Sequence, residues 1–234
     1  MNRHLLLALM ALAACKSPQE KYEAAARVNL AAMPALYELA SAAPPVDPAS
    51  TQALASLKDL SAKYLDSNAL IIHLEELQNP TLRREIPVRL NHRSPTVDLA
   101  AKLNLTKPEP DARLDASYAL GLDSEDAQKS VFQRMGTLKY VLVVRTRGQH
   151  DAQVAGGNTF IGGAWEGEVL VFELASKHLL GGFALAGDNH STVQTRDGRD
   201  TQNLAADLTL ATRGNLNARL RQVLPAVGAN DELN

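Results

Sequence analysis

The chain has 234 residues, 45% hydrophobic and 21% charged, a balance that supports one substantial folded domain and excludes disorder throughout. The formal net charge is −2, so no basic excess points to nucleic acid as a partner. Aromatic residues make up only 4%, which argues against a carbohydrate site of stacked rings and leaves Trp165 as the single large platform.

Residues 2–15 open with one fixed positive charge at Arg3, continue through the apolar stretch from Leu5 to Leu12, and end in Ala13, Ala14 and Cys15, the only cysteine. That order is the layout of a secretory signal. Its apolar run of about eleven residues is well short of the roughly twenty that a spanning helix needs, so a permanent transmembrane anchor is not expected. The four residues Leu12-Ala13-Ala14-Cys15 resemble the lipobox of bacterial lipoproteins. The resemblance implies that residues 1–14 are a signal peptide, that the Cys15 thiol carries diacylglycerol, and that the new amino terminus is acylated, with palmitate as a usual chain. The membrane would then be held through lipid at Cys15. Lys16 stands where an aspartate would signal inner-membrane retention, which favours the outer membrane, facing the periplasm. A mature chain without another thiol forms no disulfide in that oxidising compartment. The competing reading is a cytosolic protein with a buried amino-terminal helix and a core cysteine.

Residues 19–42 are rich in alanine and leucine and predict a helix, kinked or restarted at Pro34. APPVDPAS, residues 43–50, reads as a stiff spacer. Ser50 is placed to cap a second helix along which Leu54, Leu57, Leu60 or Ser61, and Tyr64 or Leu65 recur. ALIIHLEEL, residues 69–77, is ambiguous between helix and strand, with Ile71-Ile72 leaning toward strand. The prolines at 80, 87, 95, 108 and 110 allow only short elements, a strand at EIPVRLN and a helix at TVDLAAKLN.

From Asp123 or Ser124 a helix should run through Arg134, with Gly136 as a left-handed cap. LKYVLVVRTR, residues 138–147, is strongly β-forming. AWEGEVLVFELA and LLGGFALAG, joined across Ser176-Lys177-His178, predict a hairpin. Leu204, Leu208, Ala211, Asn215 or Leu216, Leu220 and Val223 or Leu224 then mark an amphipathic helix with Gly214 as its weak point. Together these elements predict an α+β domain: an antiparallel sheet of three to five strands with helices packed on one face, preceded by a helical amino-terminal segment. The division expected is a signal over 1–14, a lipidated terminus, helix and spacer over 15–50, and a single domain over 51–234. The run from Lys139 to Gly187 resembles the strand meander of amino-terminal TolB-like and CsgG-like periplasmic domains, although its turn reads Ala175-Ser176-Lys177-His178 rather than carrying their Thr-Gly. The resemblance implies shared architecture and carries over no site.

The nucleophile, zinc and phosphate signatures GxSxG, HExxH and GxxxxGK[ST] are missing from the sequence, and no metal or cofactor is expected. What remains is His150-Asp151 and Asp188-Asn189-His190, which antiparallel pairing would bring to one end of the sheet. Histidine beside carboxylate can act as a general base or metal ligand, but turns carry such residues routinely and these meet no spacing rule of a site. GQHDAQVAGGNTFIGGAWEG, residues 148–167, joins two strands with more chain than a hairpin needs. It reads either as a binding lip presenting Phe160 and Trp165, or as a hairpin whose Phe160 and Trp165 tuck back onto the sheet, and loop statistics favour the second. His73 reads as a satisfied, partly buried residue and Thr195–Asp200 as a turn and helix cap.

The expectation is therefore a lipid-anchored envelope protein that binds or scaffolds, with an envelope protein as partner. Its rivals are an envelope hydrolase using His150, Asp151, Asp188 or His190, and a carrier of an apolar ligand between the sheet and the last helix.

Overall fold

The computed structural model describes residues 18–60, 68–78, 86, 88, 90, 133–156, 159–194 and 200–224. The signal and Cys15, most of the strand expected over 85–91, the short helix expected over 96–104, most of the helix expected from Asp123 and the turn at 195–199 lie outside them.

Four strands make the main sheet in the order β1 (Ala69–His73), β2 (Tyr140–His150), β5 (Ala164–Glu173) and β6 (His178–Asp188). The pairs β2–β5 and β5–β6 are antiparallel, whereas β1 runs parallel to β2 in a register from Ala69↔Tyr140 to His73↔Val144. The ambiguous stretch at 69–77 divides between both readings: Ala69–His73 is fully buried strand, and the helix α3 (Leu74–Gln78) follows at once. Strand is preferred where β-branched Ile71 and Ile72 pack on both faces of a sheet.

The domain is α+β as expected, but the expectation of helices on one face is corrected, because both faces are covered. The long helix α1 (Pro18–Ala42) sets Ala26, Leu30, Met33, Leu36 and Ala40 against Leu70, Ile72, Val141, Val143, Leu170 and Phe172. On the other face α4 (Asp200–Val223) sets Leu208, Leu216, Leu220 and Val223 against Leu142, Val144, Val169, Val171 and Phe183. The strands of a sheet buried on two sides read as continuous apolar runs, as VLVV and EVLVF do. α1 stays helical through Pro34, which is exposed. Along α4 the buried stripe uses Thr212 where Ala211 was expected, and Gly214 does not interrupt it.

Gly136 is corrected as well. It remains helical and is not among the glycines with positive φ. Its lack of a side chain admits α1 instead, since a Cβ there would lie 2.8 Å from Tyr22 O. The helix end is capped from outside, by Asn29 Nδ2 donating to the carbonyls of Met135 at 2.7 Å and Leu138 at 3.2 Å.

The proline-rich stretch after α1 is a strap around the edge of β6. Asp47, not Ser50, caps the short helix α2 (Pro48–Ala53): its Oδ1 accepts from Ser50 N at 2.7 Å, with Pro48 in the first turn. Val46 lies over Gly182, Leu54 over Gly181, and Thr51 Oγ1 donates to Gly182 O at 3.0 Å. Farther along the same edge Asn215 Nδ2 donates to Ala186 O at 2.9 Å. These contacts occupy backbone acceptors that an exposed edge strand would offer to another chain. The spacer expected over 43–50, and the division of the chain it implied at residue 50, are not what the packing shows, because α1 and the strap are part of the core.

β6 also meets α4 closely. A Cβ at Gly187 would fall 2.0 Å from Thr212 Oγ1 and 2.8 Å from its Cα, whereas nothing lies within 4 Å of a Cβ at Gly148. Gly187→Ala is expected to cost about 1–3 kcal/mol of stability by pushing α4 off the sheet. Gly148→Ala should leave the urea midpoint almost unchanged, and equilibrium denaturation of the two variants checks the contrast.

Candidate functional site

Pairing does carry the candidate residues to one end of the sheet. His150, Ala164 and Asp188 stand in one row across β2, β5 and β6. Two strand spacings separate His150 from Asp188, about 10 Å. Both are exposed, and among the described residues no hydrogen bond joins any two of His150, Asp151, Asp188 and His190. Asp151 accepts from Gln149 Nε2 at 2.8 Å.

His190 turns toward α4. Its Nδ1 lies 2.8 Å from Asp207 Oδ1, and its backbone N donates to Asp207 Oδ2 at 2.9 Å. Burial works against ionisation of Asp207, but the hydrogen bonds from Asn189 and His190 outweigh it and hold the carboxyl below its usual range. An aspartate orienting an imidazole is two parts of a general-base arrangement, and the third, a hydroxyl on the ring, is not found among the described residues. Asn189 shows what the cluster does mechanically. Its Nδ2 donates to Leu204 O at 2.7 Å and Asp207 Oδ2 at 2.9 Å, while its Oδ1 accepts from Gly163 N at 2.8 Å. The start of β5, the end of β6 and α4 are thereby stapled together.

The two aromatic candidates separate. Trp165 is 1% exposed and packs in the core under α4, its ring filling the space that a Cβ at Gly167 would need. Of the two readings of this interval, the favoured one, a ring tucked back onto the sheet, holds for Trp165, which is a core residue and not a binding platform. Phe160 lies in a two-stranded hairpin of β3 (Gln153–Gly156) and β4 (Thr159–Ile161), where it pairs with Val154 and is half-buried. Val154 and Ile161 in the same hairpin are 48% and 61% exposed. The interval between β2 and β5 thus has structure of its own and projects apolar side chains into water.

A cleft of about 180 Å³ opens between the end of β2 and α4, lined by Val88, Gln149, Asp151, Ala152, Leu204 and Leu208. Pockets that enclose a drug-sized ligand run from about 300 Å³ upward, so this one does not suit a carrier of a large apolar molecule. A shallower groove of about 360 Å³ crosses the other face beside Arg147, Glu166 and Ala184. Among the described residues no three histidine, cysteine or carboxylate side chains converge as metal ligands.

The densest polar cluster was not anticipated. Arg145 and Glu168 face each other across β2 and β5 and are buried. Arg145 Nε donates to Glu168 Oε2 at 3.0 Å, its Nη1 to the carbonyls of Ala40 and Ala43 at 2.7 Å each, and its Nη2 to Pro44 O at 3.1 Å. Glu168 Oε1 accepts from Val46 N at 3.0 Å, and Arg147 Nε reaches Oε2 at 2.9 Å. Arg147 is the extra residue of a bulge, since Thr146 pairs with Gly167 and Gly148 with Glu166. Burial opposes the charge of Glu168, but hydrogen bonds from Arg145, the Val46 amide and Arg147 prevail and hold its carboxyl below the ordinary value. A second polar cluster closes the opposite end of the sheet, where Asp59 takes Lys139 Nζ and the Tyr140 hydroxyl, the latter at 2.5 Å.

Compared with protein-family models, with curated proteins and with solved structures, the chain matches none.

Two measurements separate core from surface here. Trp165→Ala is expected to cost about 3–5 kcal/mol, the range for a buried ring, and Phe160→Ala clearly less, read by chemical denaturation. Glu168→Ala should cost about 3–5 kcal/mol at pH 7 by leaving Arg145 charged and uncompensated, against less than about 0.5 for the exposed Glu166→Ala. Because the folded carboxyl lies below its ordinary value of 4.5, its contribution is complete above that pH and disappears as pH falls through the folded value. The stability difference between wild type and Glu168→Ala should narrow over that acid range and stay constant above it.

Proposed function

We propose that the protein is a lipid-anchored bacterial cell-envelope protein that binds or scaffolds another envelope protein, held by acyl chains on Cys15 and facing the periplasm from the outer membrane. The observation that carries this reading is Leu12-Ala13-Ala14-Cys15 directly after an apolar run too short to span a bilayer. Among the described residues no helix is long and apolar enough to cross a membrane, which is compatible with a lipid anchor. Two or more acyl chains give lasting attachment, since each buried methylene contributes about 0.8 kcal/mol.

Support for binding comes from the hairpin. Val154 and Ile161 are held exposed on a short ladder at one end of a rigid, two-sided sheet, and Phe160 is only partly covered. Val154 with Phe160 on one face of the ladder and Ile161 on the other give apolar contacts that a protein partner gripping the hairpin would bury. A hydrolase reading draws on His190 and Asp207 alone, and its other three candidates stand apart from them.

The test has two parts. In a bacterial host that processes lipoproteins, the mature chain should begin at a diacylglycerol-modified Cys15 by mass spectrometry, and Cys15→Ala should abolish both cleavage and partition into membranes. An unmodified Met1 terminus ends the lipoprotein reading. For the hairpin, a photo-crosslinker at Ile161 should yield one defined envelope adduct that the same group at Arg219 on α4 does not. Equal labelling at both positions ends the binding reading.

A further inference from the structure

α1 is apolar on two opposite sides. Its buried residues Ala26, Leu30, Met33, Leu36 and Ala40 meet the sheet. On the side away from the sheet, Ala24, Val28, Ala31, Ala35 and Leu39 are exposed and recur at three- and four-residue spacing. At about 100° per residue that spacing places them on one stripe. Val28 is 69% and Leu39 44% exposed, two of the five large hydrophobic side chains exposed among the described residues. Of the charges beside the stripe, Arg27 is paired with Glu23 at 2.8 Å and the exposed Glu38 flanks it next to Leu39. A helix apolar on two faces has room for two partners, and the sheet supplies one.

The second partner follows from the chain. Only Lys16 and Ser17 separate Cys15 from Pro18, the first residue of α1. Three Cα steps reach at most about 11 Å, so a lipidated Cys15 holds the start of the helix at the headgroups. We propose that α1 lies on the membrane surface through Ala24, Val28, Ala31, Ala35 and Leu39, with the sheet and then α4 stacked outward from the bilayer. This rests on the lipid-anchored reading of Cys15. A stripe with two large side chains is too small to recruit a soluble protein to lipid. Once the anchor makes the contact intramolecular, the same stripe is sufficient to set orientation. The orientation directs α4 and the exposed apolar residues of the hairpin toward the aqueous side.

The lone cysteine makes the test clean. When Cys15 carries lipid, Val28→Cys, Leu39→Cys and Leu210→Cys each provide a single free thiol for a spin label, and all three positions are exposed. The lipidated full-length variants are reconstituted into vesicles of phosphatidylethanolamine and phosphatidylglycerol. Labels at 28 and 39 should lose most of their collisions with a water-soluble nickel chelate and gain collisions with oxygen, while the label at 210 keeps its aqueous accessibility. Labels at 28 and 39 as accessible to nickel as that at 210 overturn the proposal. So does dipolar broadening at 28 that dilution with unlabelled protein removes, since a second copy then covers the stripe. Mass spectrometry before reconstitution separates the two readings: unmodified Cys15 overturns both, whereas lipidated Cys15 with exposed 28 and 39 overturns the orientation alone.

Discussion

Arg145 places a guanidinium where a two-sided sheet would otherwise continue its apolar packing, and it answers three structural needs at once. Its carboxylate partner Glu168 comes from the neighbouring strand, and its remaining donors go to the carbonyls of Ala40, Ala43 and Pro44 at the end of α1. Those carbonyls have no helical partner of their own, so a buried cation there completes the helix. Glu168 then fixes the strap by accepting from Val46 N. One ion pair thereby joins β2, β5, the end of α1 and the chain that rounds the edge of β6. A buried pair of this kind adds little net stability over apolar side chains, but breaking it is costly. Its role in this fold is to position α1.

With α1 so placed, the rest of the architecture is constrained. The strap must pass the β6 edge, and Gly181 and Gly182 give it room through contacts that a Cβ would block. Helices then cover both faces, Thr51 and Asn215 occupy edge carbonyls, and Asn189 staples the far corner to α4. The β3–β4 hairpin, with its exposed Val154 and Ile161, extends beyond this packing.

Much of the sheet was legible from side-chain pattern. The continuous run YVLVV and the paired strands around Ala175-Ser176-Lys177 gave β2, β5 and β6, and the periodicity of Leu204, Leu208, Leu216 and Leu220 gave α4. The strap was read as a linker because prolines in sequence signal stiffness without saying what the stiff segment touches. Arg145 and Glu168 were missed although each left a signal, a charge at an inward position of an otherwise apolar strand. The glycines around Trp165 left two readings open, a lip or a ring tucked onto the sheet, and only the packing decides, since Gly167 is small enough to seat that ring. For the candidate site, strand pairing correctly brought His150 and Asp188 to one end, but the Asp207 partner of His190 lies on a helix that turn residues do not reveal.

The sequence by itself determined the long elements α1, β2, β5, β6 and α4 and most of the residues α4 buries, because periodicity is a local property of hydrophobic pattern. It also carries the lipobox resemblance, which depends on residue order near Cys15 rather than on fold. Tertiary structure alone decided that α1 belongs to the core, that β1 pairs in parallel with β2, that both sheet faces are covered, and that the four candidate residues form no shared centre. Those outcomes depend on contacts between residues about a hundred positions apart, such as Arg145 with Ala40 and Asn29 with Met135. Local pattern is silent on such contacts because many long-range arrangements bury the same faces, and only the geometry of specific donors and acceptors selects among them.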